Sequence, residues 1–159
     1  ILIGLVGSEM CIRDSIYGDY MTSYSVMAVK KDGTIYTPAQ GLMGKNLLAA
    51  GVKDTYNFGP VLIKDGEAQL PWAETEKYYP RTAVGMVKPN DYVLLVTDTG
   101  SYNGLNHWDM VNIFKSYGCT YAYNLDGGGS ATLYFNGKVM NKLIGNTQRP
   151  CADFLYFTR

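Results

Sequence analysis

This sequence is short of histidine, of cysteine and of net charge. His107 is the only histidine in 159 residues, and 14 basic side chains are matched by 14 acidic ones. With no excess of positive charge and no basic stripe, nucleic-acid binding has no electrostatic support. The cysteines, Cys11, Cys119 and Cys151, lack the paired spacing of a zinc site, and one histidine cannot complete such a site. The apolar opening at residues 1–6 is far shorter than the roughly 20 residues that a membrane-spanning helix needs. Internal repeats and low-complexity tracts are also missing. The length suits one domain with a sizeable core.

Fourteen tyrosines outnumber five phenylalanines, which fits half-buried strands and stacking surfaces. Residues 24–30 and 34–37 alternate around Lys31-Asp32-Gly33 and predict a hairpin. Residues 40–50 predict a short helix closed by Gly51. Residues 56–63 and 69–70 flank an Asp65-Gly66 turn. Residues 82–87 and 92–97 are apolar strands around Pro89-Asn90-Asp91. Asn106 is placed as a helix N-cap, with Asp109 three residues on in a variant of the capping box. Trp108, Val111, Ile113 and Phe114 give that helix an apolar face. Residues 120–125 form the next strand. Residues 132–135 and 138–141 pair about Asn136-Gly137, a strong two-residue hairpin signal, and residues 152–157 end the sheet. About nine strands and two short helices imply an α+β domain around a mixed, twisted sheet. Cys119 and Cys151 start two of these strands. They bond if the strands are neighbours, but burial as free thiols is the commoner state for such residues.

The most informative stretch is residues 121–134. A buried strand ends at Asn124 and Asp126, followed by Gly127, Gly128, Gly129 and Ser130. A glycine triplet is costly to order, so it belongs where backbone takes positive φ or approaches something closely. Placed after a carboxylate and a carboxamide, the amides of residues 127–130 suggest an anion nest. A plain wide turn is the competing explanation, since Asp-Gly is itself a turn signal.

The string Asn124-Leu125-Asp126-Gly127-Gly128-Gly129-Ser130 closely resembles the signature of the phosphodiester glycosidase family. Phe58-Gly59-Pro60, Pro80-Arg81-Thr82-Ala83-Val84-Gly85, the apolar strand ending in Asp98, and Gln148-Arg149-Pro150 are similar to further family segments, in the same order. Two positions depart from the pattern. Asp98-Thr99-Gly100 stands where the family usually has Asp-Gly-Arg, and Tyr17 replaces the asparagine of an Asn-Gly-Asp-Tyr segment that ends here in Asp19 and Tyr20.

The resemblance implies hydrolysis of a sugar-1-phosphodiester on a glycan or cell-surface polymer, in a protein that works outside the cell or at its surface. It implies Asp126, Asp98 and Asp19 as catalytic carboxylates. Arg81 and Arg149 would be the phosphate forks, with Thr82, Asn124, residues 127–129 and Ser130 completing the substrate site. Guanidinium suits a phosphodiester because its planar donors meet two oxygens at once. If the strands that end in Asp98 and Asp126 are adjacent and parallel, the two carboxylates meet at one sheet edge. No cofactor is required by the sequence, but the three aspartates leave room for a hard divalent cation such as calcium or magnesium. That would make the protein a metal-dependent phosphodiesterase. A non-catalytic module binding a glycosyl phosphate or wall polymer is the other alternative. His107, at a helix N-terminus where its protonated form is disfavoured, is not expected to act.

Residues 5–15 resemble translated adaptor sequence rather than protein, with a signal-peptide fragment or a genuine β-strand at residues 1–6 as the competing readings. The expectation is a non-native segment at 1–15 and a phosphodiester glycosidase-like domain at 16–159, lacking its first strands and leaving an open sheet edge.

Overall fold

In a computed structural model, the structure describes residues 2–5, 26–39, 44–70, 77–98, 104–151 and 154–158. Asp19, its Tyr17–Tyr20 segment and Cys11 lie outside the described residues. The strands are β1 (Leu2–Leu5), β2 (Val26–Lys30), β3 (Ile35–Tyr36), β4 (Val52–Asn57), β5 (Val61–Lys64), β6 (Glu67–Ala68), β7 (Thr82–Lys88), β8 (Asp91–Val96), β9 (Tyr121–Leu125), β10 (Tyr134–Phe135), β11 (Lys138–Val139) and β12 (Leu155–Thr158). The helices are α1 (Gly44–Ala49) and α2 (His107–Ser116).

The main sheet has five strands in the order β6-β5-β9-β7-β8, and a second has three in the order β3-β2-β4. Two ribbons complete the fold, β10 with β11 and β1 with β12. The α+β class is as expected. The expected mixture of parallel and antiparallel neighbours is not found among the described pairings, which are all antiparallel. Short connections explain this in part: β2–β3, β5–β6, β7–β8 and β10–β11 are hairpins, and a hairpin pairs only antiparallel strands. Within the segment expected to stand apart, β1 pairs with the last strand, Leu2 opposite Thr158 and Leu5 opposite Leu155.

The two larger sheets face each other. Met27, Val29, Ile35 and Tyr56 from one pack with Val61, Val84, Met86, Tyr121 and Tyr123 from the other. Alternation along the strands sends the intervening side chains to the opposite face. There Ala83 and Ala122 meet Met110, Val111 and Phe114 of α2. These small residues let the helix lie close. A Cβ added at Gly85 would come 2.5 Å from Phe114 Cδ1 and 2.8 Å from Cys119 Sγ. Helix α1 covers the outer face of the smaller sheet through Leu47, against Ala28 and Val52. The domain is therefore layered helix, sheet, sheet, helix.

Local signals set the ends of α2. The Asn106 side chain accepts from the Asp109 amide at 2.8 Å, and the Asp109 carboxylate accepts from the Asn106 amide at 3.4 Å. This is the capping box expected from the sequence. Residues 56–63, read as one strand, divide into β4 and β5, because Phe58 to Pro60 turn away to bond with β9. The Gly59 amide donates to the Asn124 carbonyl at 3.2 Å, and the Asn124 amide donates to the Pro60 carbonyl at 3.1 Å. Cys119 and Cys151 are both free, Cys119 buried and Cys151 exposed. Burial, with Asp91 adding to it, pushes the Cys119 thiol up to about 11.

Candidate functional site

Strand β7 is flanked by β8 and β9, with Thr82 opposite both Val96 and Leu125. Both neighbours run antiparallel to β7, so β8 and β9 run the same way. Asp98 and Asp126 therefore leave the sheet at one end, with Arg81 between them. Of the two conditions for the carboxylates to meet, the shared direction holds and the adjacency does not. β7 sits between them, which sets their axes about 9–10 Å apart. Both carboxylates are exposed.

The Pro80-Arg81 segment joins the two sides. On one side the Arg81 amide donates to Thr97 Oγ1 at 2.8 Å, and the Thr97 amide donates to the Arg81 carbonyl at 2.9 Å. On the other the Gly128 amide donates to the Pro80 carbonyl at 2.8 Å.

The glycine triplet folds over this ledge as one 3-10 turn, Gly128–Ser130. A Cβ at Gly127 would lie 2.5 Å from the Pro80 carbonyl oxygen and 3.4 Å from Arg81 Cα. Gly128 has φ of 57°, in the left-handed region. At Gly129 an added Cβ would only touch Arg149 Cδ, at 3.6 Å. Two of the four amides of the anion nest expected from residues 127–130 are committed within the fold. The Gly128 amide is committed to Pro80, and the Ser130 amide donates to the Gly127 carbonyl at 3.0 Å.

Both arginines lie beside the triplet, Arg81 through its backbone at Gly127 and the exposed Arg149 through its side chain at Gly129. Arg81 is anchored: Nε donates to the Leu105 carbonyl at 3.1 Å and Nη2 to the Lys77 carbonyl at 3.0 Å.

Three polar side-chain atoms here are buried without a hydrogen bond, Thr82 Oγ1, Asn124 Oδ1 and Ser130 Oγ. Such atoms carry a desolvation cost that a ligand can relieve. They do not all share a face. Thr82 continues the row of Val84 and Met86, whereas Asn124 continues the row of Ala122 on the α2 side. Asn124 is almost fully buried, and its Nδ2 donates to the Gly59 carbonyl at 2.8 Å. Close by, the Tyr123 hydroxyl accepts from the Phe58 amide at 2.8 Å. Burial pushes that phenol up to about 12, with the amide bond opposing the shift. His107 is buried as the first residue of α2. No group of three His, Cys, Asp or Glu able to hold a metal occurs among the described residues.

Sequence reasoning missed Tyr79, whose ring lies against the Arg81 guanidinium, and Asn141. Asn141 clamps the exit of the glycine turn. Its Oδ1 accepts from the Leu133 amide at 2.7 Å, and its Nδ2 donates to the Ala131 carbonyl at 2.8 Å. Tyr79 immediately precedes the Pro80-Arg81 segment, which is a usable signal. Asn141 carries none beyond ending a hairpin.

The chain belongs to the phosphodiester glycosidase family, whose model matches residues 10–158. Among individual relatives, it is 33% identical over 115 residues to the SPbeta prophage-derived uncharacterized protein YomE of Bacillus subtilis (strain 168), covering 69% of this chain and 18% of that one. It is 41% identical over 58 residues to the N-acetylglucosamine-1-phosphodiester alpha-N-acetylglucosaminidase of Mus musculus, covering 36% of this chain and 11% of the enzyme. The zebrafish enzyme of that name, solved as a catalytic domain auto-inhibited by its pro-peptide, superposes with a TM-score of 0.59 at 22% identity. That match covers 76% of this chain and 45% of the solved one. A hypothetical protein from Synechocystis gives 0.50 at 15% identity, over 76% of this chain and 31% of the other. At these identities the structural likeness speaks to fold alone. The chain spans less than a fifth of the length of the curated relatives it matches.

Proposed function

We propose that this chain hydrolyses a sugar-1-phosphodiester at the glycosidic bond, releasing free sugar and a phosphomonoester. The observation that carries this reading is the placement of the Arg81 backbone and the Arg149 side chain beside one glycine triplet directly after Asp126. Two guanidinium groups offer donors to the two free phosphate oxygens of a diester. Asp126 faces the positive charge that grows at the anomeric carbon. Asp98, at the same sheet end, is the second carboxylate of the pair that glycoside hydrolysis uses. Thr82 and Ser130 orient hydroxyls or phosphate oxygens, and Asn124, on the other face of the sheet, contributes through its unbonded Oδ1 at the strand end. Asp19 completes the set in the family pattern. The substrate is a glycan or cell-surface polymer, and the protein works outside the cell or on its surface.

Product analysis tests this. Glycosidic cleavage gives a reducing sugar, cleavage at phosphorus gives a sugar phosphate, and a binding module gives neither. Asp126→Asn is expected to lower turnover at least a hundredfold, the scale of a lost acid–base group, with unfolding unchanged. An Asn variant at near-normal rate removes Asp126 from the mechanism. Chelator treatment that abolishes the reaction favours the metal-dependent phosphodiesterase instead.

A further inference from the structure

We propose that Tyr79 is a positioning residue for the phosphate-binding arginine, holding the Arg81 guanidinium in a fixed plane against the Leu105 and Lys77 carbonyls. The inference rests on the assignment of phosphate to this site. The guanidinium carbon of Arg81 lies 5.3 Å from the centroid of the Tyr79 ring, within reach of a cation–π contact. Its Nε and Nη2 donate to the carbonyls of Leu105 and Lys77. Two hydrogen bonds to backbone fix one edge of the fork, and the ring restrains its tilt.

Tyr79 is itself fixed. Its amide donates to the Leu105 carbonyl at 3.3 Å, and the Leu105 amide donates to the Tyr79 carbonyl at 2.9 Å. A Cβ at Gly104 would collide with the Tyr79 carbonyl, so only glycine lets the two segments pair this closely. Residue 79 therefore joins α2's approach segment to the arginine that the sheet presents. The ring is still half exposed, so its contribution to the hydrophobic core is limited. That exposure separates a positioning role from a merely structural one. An arginine oriented before substrate arrives loses less side-chain entropy on binding, and the gain appears as affinity.

The test uses Tyr79→Phe, Tyr79→Leu and Arg81→Ala, with inorganic phosphate as probe and Arg81 side-chain resonances as readout. In the wild-type protein the Arg81 Hδ protons should be displaced by the ring current of Tyr79, and in Tyr79→Leu that displacement should vanish. Tyr79→Leu should bind phosphate about two- to fivefold more weakly, the range for an exposed cation–π contact, and should raise KM for a phosphodiester more than it lowers kcat. Tyr79→Phe, which keeps the ring, should behave as wild type. Arg81 Hδ protons at undisplaced shifts in the wild type would overturn the stack without recourse to any variant. Wild-type phosphate affinity in Tyr79→Leu, alongside lost binding in Arg81→Ala, would overturn the role of Tyr79 while leaving the phosphate site standing. Wild-type affinity in Arg81→Ala would remove the phosphate site and this proposal together.

Discussion

Gly127 meets the Pro80 carbonyl, Gly128 takes a left-handed φ, and Gly129 has only an ordinary contact with Arg149. Alanine at each position should therefore give a different result. Gly128→Ala should cost about 1–2 kcal/mol, the penalty of a left-handed non-glycine residue. Gly127→Ala should cost about 1–3 kcal/mol by forcing the ledge outward, while Gly129→Ala should stay within about 0.5 kcal/mol. Denaturant unfolding checks the order, and a Gly129→Ala variant that proved the least stable would contradict it. The triplet's presence was legible in the sequence because its composition is extreme. The division of labour within it was not, because it depends on Pro80, which is far away along the chain. The anchoring of Arg81 was hidden for the same reason: its acceptors are backbone carbonyls, which leave no side-chain signature.

At the scale of elements, α2 and β7 show how a small residue sets a distance. Gly85→Ala drives a methyl group into Phe114 and Cys119. It should destabilise the domain by about 1–3 kcal/mol through overpacking, read as a lowered unfolding midpoint. A neutral result would mean that the helix stands further from the sheet. The ends of α2 and the β10–β11 turn were legible because their causes are local. Asn106 and Asp109 lie three residues apart, and Asn136 and Gly137 both take positive φ. Strand order was not legible. Nothing local says that β7 enters between β8 and β9, so whether the two strands touch could not be read, and they are separated. Likewise the break between β4 and β5 comes from bonds to Asn124, more than sixty residues away.

For the whole molecule, the seam between the two sheets carries tyrosines whose hydroxyls are bonded inside. Tyr121 shares a 2.7 Å hydrogen bond with Thr37, and Tyr123 accepts from Phe58. Burial raises both phenols above the ordinary value of 10.0, Tyr123 to about 12 and Tyr121 further. The folded state thus holds these protons more tightly than the unfolded chain. Their stabilising contribution is complete below pH 10 and is lost as pH rises through about 12. Unfolding followed across that range should show stability falling, with two phenols ionising only as the fold opens. Early ionisation of all tyrosines near pH 10 would place these two outside the seam. The same layering holds the end of β7 rigid between β8 and β9, so that Asp98, Arg81 and Asp126 occupy one sheet end. The most direct test of what that end does is hydrolysis of a sugar-1-phosphodiester in water enriched in heavy oxygen, with mass analysis of both products. Glycosidic cleavage puts the heavy oxygen on the released sugar and leaves the phosphomonoester unlabelled. Label found in the phosphate instead would place the broken bond at phosphorus and contradict the glycosidase reading.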